Sequence, residues 1–525
     1  MSTQAGLLWL DDDALLAIFS FLYGKDALSV ALTSKRLHDL AIPRFAAVAC
    51  CVYFQSFLPL YDYMLKGKQP RVQYLEDLTL LGVTRSTSSF TAARDAKDIA
   101  TDVLIGDLIT SAKNLRRLAL SQLRWLLEDS RVGNAIATMP KLVVVSLHDV
   151  DGRTLELLSI MNGSLVELRL DYTWTAPQSA ATDITLFDVL ARHTRLQILQ
   201  LHCFMPSADF RLTSSSVKAQ FPSLRRLHIA ETTNAAFDFP HFFPHLSILS
   251  FTLDDCTRPM PNLDDSLLWP LLQELYLERI TLACCVQCRV GQVDKVGILW
   301  YLAPRDTRDL QEYLPAILRT ASPITLALSV TYVSRVIGLL APTLVALPRL
   351  RRLELSISLN RPDIEDDAET WLVALLALLS QLRLTSLVIA FTTVSPPFFD
   401  DPTSIVDRSE EESRESKRVQ LECEKRRMKI ACALPERLAH AMPTLRLLRV
   451  LFQRYSAAGE PWAEGDLDAT GDDEVLTCHW YTWEWDRPAR DRLDWHQRWW
   501  RVDENGGLEF LTSREARHAM QDTEA

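Results

Sequence analysis

Residues 115–120 read LRRLAL, and the frame L-x-x-L-x-L returns as LVVVSL at 142–147, LVELRL at 165–170, LQILQL at 196–201, LRRLHI at 224–229, LSILSF at 246–251 and LQELYL at 272–277. Strict alternation over the last three positions is the period of a strand with one face buried. From frame to frame the first leucine moves on by 22 to 31 residues, enough for a strand and a return segment. An earlier copy stands at 75–80, and later ones at 350–355, 384–389 and 445–450. Pro140, Pro222, Pro244, Pro270, Pro348 and Pro443 each lie two residues before a first leucine, where a helix should stop and an extended segment begin. A unit this small cannot bury its own apolar face, so neighbours must stack into a continuous parallel sheet.

The residues between the leucines then point to the opposite face. Glu167, Arg169, Gln200, Arg226, His228, Glu274 and Tyr276 are candidates there for a protein-binding surface, being varied in charge and size. The frame and period resemble those of leucine-rich repeats. The asparagine or cysteine that this family carries three residues after the frame is replaced by Val83, Leu123, Val150, Thr173, Phe204, Thr232, Asp254 and Ile280. The expectation is therefore an irregular solenoid with variable loops.

Ahead of the repeats, residues 10–41 read LDDDALLAIFSFLYGKDALSVALTSKRLHDLA. Leu15, Ile18, Phe19 and Leu22 share one helical face, and Asp11, Asp12 and Asp13 put negative charge at a helix start. Gly24 can stop that helix, Leu28, Leu32, Leu37 and Leu40 continue the apolar pattern past a polar break at 33–36, and Pro43 should end the segment. Some 30 residues cannot bury all these side chains alone, so one face must pack on something else.

In order and spacing, the IFSFL core, the Lys25-Asp26 turn and the TSKRL run of this segment resemble an F-box, the short helical motif that binds the Skp-type adaptor of cullin-based ubiquitin ligases. Asp11 stands where that family usually has proline. The resemblance implies that Leu10, Leu15, Ile18, Phe19, Leu22, Leu28, Leu32 and Leu37 carry the motif's fold and its adaptor surface. It also implies a non-catalytic subunit that brings a protein substrate to the ligase. The alternative is a repeat scaffold whose first helices are only a cap.

The expected order is an F-box-like module over 1–45, a junction over 46–74 with a strand near 46–53 and a helix near 57–65, and an irregular solenoid over 75–455. Between 281 and 345 the repeat lapses, with one further strand expected at 323–330 between helices. Cys284, Cys285 and Cys288 stand in that gap, but no second pair completes a zinc site, so buried thiols are the expectation and no cofactor is implied. An inserted loop and charged helix are expected over 394–433. Residues 456–525 should hold a loose segment and a Trp-rich hairpin, turning at Asn505-Gly506-Gly507, that caps the solenoid. The fold class is thus α/β, a curved parallel sheet with outer helices.

Composition narrows the function. In 525 residues, 67 acidic groups against 56 basic ones leave no basic block to track a phosphate backbone, so nucleic acid is not expected as a partner. The longest apolar runs are too short to span a membrane, MSTQAG lacks the basic start of a signal peptide, and ten irregularly spaced cysteines suit a reducing cytoplasmic or nuclear setting. No H-E-x-x-H, G-x-S-x-G or phosphate-cradling loop is present, and the histidines show no spacing that suggests a catalytic triad.

Overall fold

The computed structural model describes residues 10–519 except 23, 53, 67–69, 82–95, 162–163, 173–185, 205–210, 213–219, 234–235, 238, 256–271, 278–290, 303–308, 331–332, 359–367, 393–431, 455–493, 513–514 and 517. The chain divides into two compact units, Met1–Leu246 with Leu253–Pro261, and Ser247–Thr252 with Asn262–Ala525. Both are mixed α/β, with a mostly parallel sheet. The cysteine cluster at 284–288, the inserted loop with nearly all of the charged helix, and Trp480, Trp483 and Trp485 lie outside the described residues. Among those residues, no helix is long and apolar enough to cross a membrane.

The first unit opens with α1 (Asp12–Ser20), α2 (Gly24–Ala31) and α3 (Lys35–Ala47). Asp11 starts α1 as its cap, its carboxylate accepting from the Ala14 backbone N–H at 2.7 Å, and Ser34 caps α3 by accepting from Leu37 N–H at 3.2 Å. Two sequence expectations are corrected here. Gly24 opens α2 instead of stopping α1, and Pro43 lies inside α3 instead of ending it. Buried Ala41, Ala46 and Ala47 hold α3 on its neighbours on both sides of the proline, which offsets the one backbone hydrogen bond that proline cannot donate.

α3 runs straight into β1 (Val48–Cys51), and α4 (Phe54–Leu65) follows. β1 pairs in parallel with β2 (Asp77–Leu80), so the sheet begins inside the segment expected to be a junction. β3 (Arg117–Leu120), β4 (Val144–Val150), β5 (Glu167–Tyr172) and β6 (Ile198–His202) add in chain order. After a two-stranded pairing of β7 (Arg211–Leu212) with β9 (Ala236–Phe237), β8 (Arg226–Thr233) continues the main sheet beside β6. The second leucine of each frame sets the register: Leu78, Leu118, Val145, Leu168, Leu199 and Leu227 stand opposite one another across the unit. All are buried, each contributing about 1.5–3 kcal/mol by leaving water.

Apolar residues fill several places where the asparagine of a regular repeat would stand. Leu123, Val150 and Phe204 are buried, and Phe204 heads a column of rings. Phe187 packs on both Phe204 and Phe221 at centroid distances of 6.2 and 6.3 Å, and Phe221 packs on Phe243 at 5.3 Å. Ring contacts and burial between successive turns add to backbone hydrogen bonds such as Phe221 N–H to the Phe242 carbonyl at 2.8 Å.

The second unit repeats the scheme with β10 (Ile248–Asp255), β11 (Glu274–Leu277), β12 (Lys295–Leu302), β13 (Thr325–Val330), β14 (Arg352–Ser358), β15 (Ser386–Thr392) and β16 (Leu447–Arg454), parallel and in order. β12 falls where the repeat was expected to lapse. Val293, Val296 and Ile298 carry its frame, valine and isoleucine having taken the leucine positions, and all three are fully buried. The last two strands reverse direction: β17 (Asp494–Val502) is antiparallel to β16, and β18 (Leu508–Leu511) is antiparallel to β17. Gly506 supplies the turn's left-handed residue at φ 80°, and the Asp503 carboxylate accepts from the Asn505 and Gly507 N–H groups at 2.8 and 2.7 Å. Trp499 is buried with Leu447, Leu511 and Ala516, under the Arg449 guanidinium 4.5 Å from its ring.

Candidate functional site

Two regions of the first unit hold more than folding requires. On the N-terminal helices, Leu15, Phe19, Ala31, Leu37 and Ala41 form a small core, with Leu22, Val30 and Leu40 packed against it. Leu10, Leu16, Ile18 and Leu28 are exposed, while Phe21 is 81% and Leu32 77% exposed. α1 and α2 thus each end in a second apolar group, Ile18 with Phe21 at the cap of α1 and Leu28 with Leu32 just past the end of α2. The predicted adaptor set therefore divides. Leu15, Phe19 and Leu37 are core and so carry the fold; Leu22 is half-buried; Leu10, Ile18, Leu28 and Leu32 face outward. Leu16 and Phe21 are exposed members that sequence reading left out. Only knowledge of which apolar group the rest of the module covers would have marked them.

Arg36 on α3 ties this module together. Its guanidinium donates to Asp12 Oδ1 at 2.7 Å and to the Leu10 carbonyl at 2.8 Å, holding the start of α1 against α3.

The second region is a polar patch on β4, β5, β6 and β8. Parallel register sets Ser146, Arg169, Gln200 and His228 in one row and His148, Asp171 and His202 in the next, toward the carboxyl ends of the strands. His148 Nδ1–H donates to Asp171 Oδ2 at 2.9 Å. Burial raises the Asp171 carboxyl, but the hydrogen bond from His148 and the electrostatic influence of His148, His202 and Arg169 outweigh it and hold the group below the usual carboxylate range. An ionised carboxylate only accepts, so the proton must sit on Nδ1. Nε2 faces Ser146 Oγ at 3.3 Å, and in the neutral ring it is the nitrogen that accepts. One Arg169 nitrogen stands 3.7 Å from the same carboxylate oxygen.

His202 and His228 close the patch with ring centroids 4.8 Å apart. Burial, then the charge of Arg169, brings His202 down to about 4, and burial, with neighbouring His202 and Arg169 opposing a second positive charge, brings His228 down to about 3. Both rings are neutral at pH 7. Burial of His228 corrects its place among the outward contact residues, whereas Glu167, Arg169 and Gln200 are half-buried on the face and Arg226 is exposed. Backbone strain borders the patch. Asp149, the next residue after His148, has φ 60° at an irregularity in the β4–β5 register, and Cys203, the next after His202, has φ 50°.

Strand register, and not spacing along the chain, brings Ser146, His148 and Asp171 together. The available signal was positional: His148, Asp171 and His202 each follow the third apolar residue of their frame, and Ser146 lies two residues before His148, hence on the same face. By contrast, buried His193 is structural, its Nε2–H donating to the Leu158 carbonyl at 3.2 Å.

In the second unit, Glu274 and Tyr276 are half-buried and joined, the phenol donating to Glu274 Oε2 at 2.7 Å. Lys295 on β12 reaches Glu354 on β14 at 3.1 Å. Between them β13 carries only Thr325 and Ala327 in the corresponding register, small enough for the ion pair to close over it, and Ala327 is fully buried. Among the described residues, no group of three or more histidine, cysteine or acidic side chains stands ready to hold a metal ion.

No family model matches the chain. No curated protein matches it either.

Proposed function

We propose that the chain is a substrate-recognition subunit of a Skp-cullin-F-box ubiquitin ligase. In this role α1 to α3 hold the Skp-type adaptor, and through it a cullin, while outward residues of the sheet hold a protein substrate. The observation that carries the proposal is the second apolar group: Phe21 and Leu32, at the C-terminal ends of α1 and α2, are largely exposed although the core of the module is already complete with Leu15, Phe19, Ala31, Leu37 and Ala41. Exposed aromatic and aliphatic side chains suit a partner's groove. The resemblance of residues 10–41 to an F-box supplies the identity of that partner. Arg169, Gln200 and Arg226 in the first unit, and Glu274 and Tyr276 in the second, are the substrate-facing candidates. Such a subunit adds no chemistry to ubiquitin transfer; it raises the local concentration of substrate lysines near a bound transferase.

Co-purification of the full chain with a Skp-type adaptor tests the proposal. Wild type should retain the adaptor and a Phe21→Ser, Leu32→Ser variant should lose it, both with unchanged circular dichroism. Failure of wild type to bind, where an authentic F-box protein binds, overturns it.

A further inference from the structure

Beyond the receptor role, and independently of it, we infer that Ser146, His148 and Asp171 form a nucleophile–base–acid triad that hydrolyses a small carboxylic ester. Four observations converge on one spot. The hydrogen-bond chain runs Ser146 Oγ to His148 Nε2 at 3.3 Å and His148 Nδ1 to Asp171 Oδ2 at 2.9 Å, the connectivity that a hydroxyl nucleophile needs, with the first distance slightly long as in many unliganded sites. Arg169 pairs with Ser146 across β4 and β5, which sends both side chains to one face and sets a positive charge beside the hydroxyl. His148 and Asp171 lie toward the carboxyl ends of their parallel strands, the side on which α/β sheets place their ligands. The left-handed residue at Asp149 directly follows the base, in the kind of strained bulge that re-aims side chains beside active sites. Side-chain exposures of 14% for His148 and 24% for Asp171 restrict access to a small acyl group.

Ser146 Oγ attacks the ester carbonyl carbon as His148 Nε2 takes the hydroxyl proton, and Arg169 balances the negative charge that forms on the carbonyl oxygen. The carbon–oxygen bond to the alcohol breaks, and the alcohol leaves with the proton from His148. Water then adds to the acyl-serine while His148 Nε2 accepts one of its protons. Ser146 regains that proton as the carboxylic acid departs, with no net redox change. Asp171 keeps the imidazole in the tautomer that both half-reactions use.

The test treats the full-length chain with a fluorophosphonate probe, maps the adduct by peptide mass spectrometry, and follows p-nitrophenyl acetate hydrolysis in parallel. A single adduct on Ser146 is expected. Ser146→Ala, which removes only a hydroxyl, should abolish labelling and turnover, and His148→Gln should slow both by about 10²-fold or more. Circular dichroism and melting of each variant confirm that the fold is retained. Absence of a Ser146 adduct on folded wild type overturns the inference, and so does Ser146→Ala or His148→Gln reacting at the wild-type rate.

Discussion

Tyr276 on β11 lays its ring over Gly297, the residue opposite it on β12, and a Cβ at position 297 would overlap the ring carbons. This close approach lets the phenol reach Glu274 and keeps the ring 6.0 Å from the Lys295 ammonium. Gly297→Ala is expected to drive the ring off the sheet and cost about 1–3 kcal/mol, the range for forced overpacking. Denaturant midpoints measure the loss. Restoration of the midpoint in a Gly297→Ala, Tyr276→Ala double variant assigns it to this contact, and an unchanged deficit there refutes the assignment.

Core and surface of the N-terminal module should separate cleanly. Phe19 is 1% exposed, so Phe19→Ala should cost about 3–5 kcal/mol and unfold the three helices locally. Phe21→Ser removes a side chain that is mostly in water and should stay within about 0.5 kcal/mol of wild type. Hydrogen exchange of α1 to α3 amides distinguishes the two.

Asp11 works as the cap of α1. Asp11→Ala should cost about 0.5–2 kcal/mol through loss of the bond to Ala14 N–H, whereas Asp11→Asn should cost little. Faster exchange at the first amides of α1 in the alanine variant alone is the expected signature.

Stability should fall on mild acidification. Unfolded histidines take up protons below about pH 6.5, but His202 and His228 resist in the folded chain down to about 4 and about 3, because burial penalises their charged forms. The unfolded state therefore binds more protons through this window. Stability is complete above pH 6.5 and is lost progressively as pH drops toward 4, on the order of 2 kcal/mol per ring at pH 5. Urea melts at pH 7 and pH 5 measure it, and a His202→Gln, His228→Gln variant should show a flatter profile. An equally steep profile in that variant would move the effect elsewhere.

Much of the sheet was legible in single stretches. The frame starting at Leu115 became β3, that at Leu165 became β5 and that at Leu384 became β15. Pro140, Pro222, Pro244, Pro348 and Pro443 lie in the turns that precede strands. β12 escaped notice because Val293, Val296 and Ile298 substitute for leucine and no proline precedes them, although burial there depends on apolar volume alone. Pro43 misled because its local cost is set against tertiary packing that a single segment does not reveal.

By itself, the sequence determined which residues alternate and where the chain must turn, since leucine spacing and proline geometry act within a few residues. It therefore settled the parallel, repeating α/β character. Only the tertiary structure decided which leucines of the first helices are core and which face water, and which polar residues of separate repeats meet. Ser146 and Asp171 belong to different strands, and His148 joins them only because β4 and β5 pair in one register and not in its neighbours. A one-residue slip would turn those side chains to opposite faces. That choice is made by burial summed over the whole sheet, a quantity that no single stretch contains.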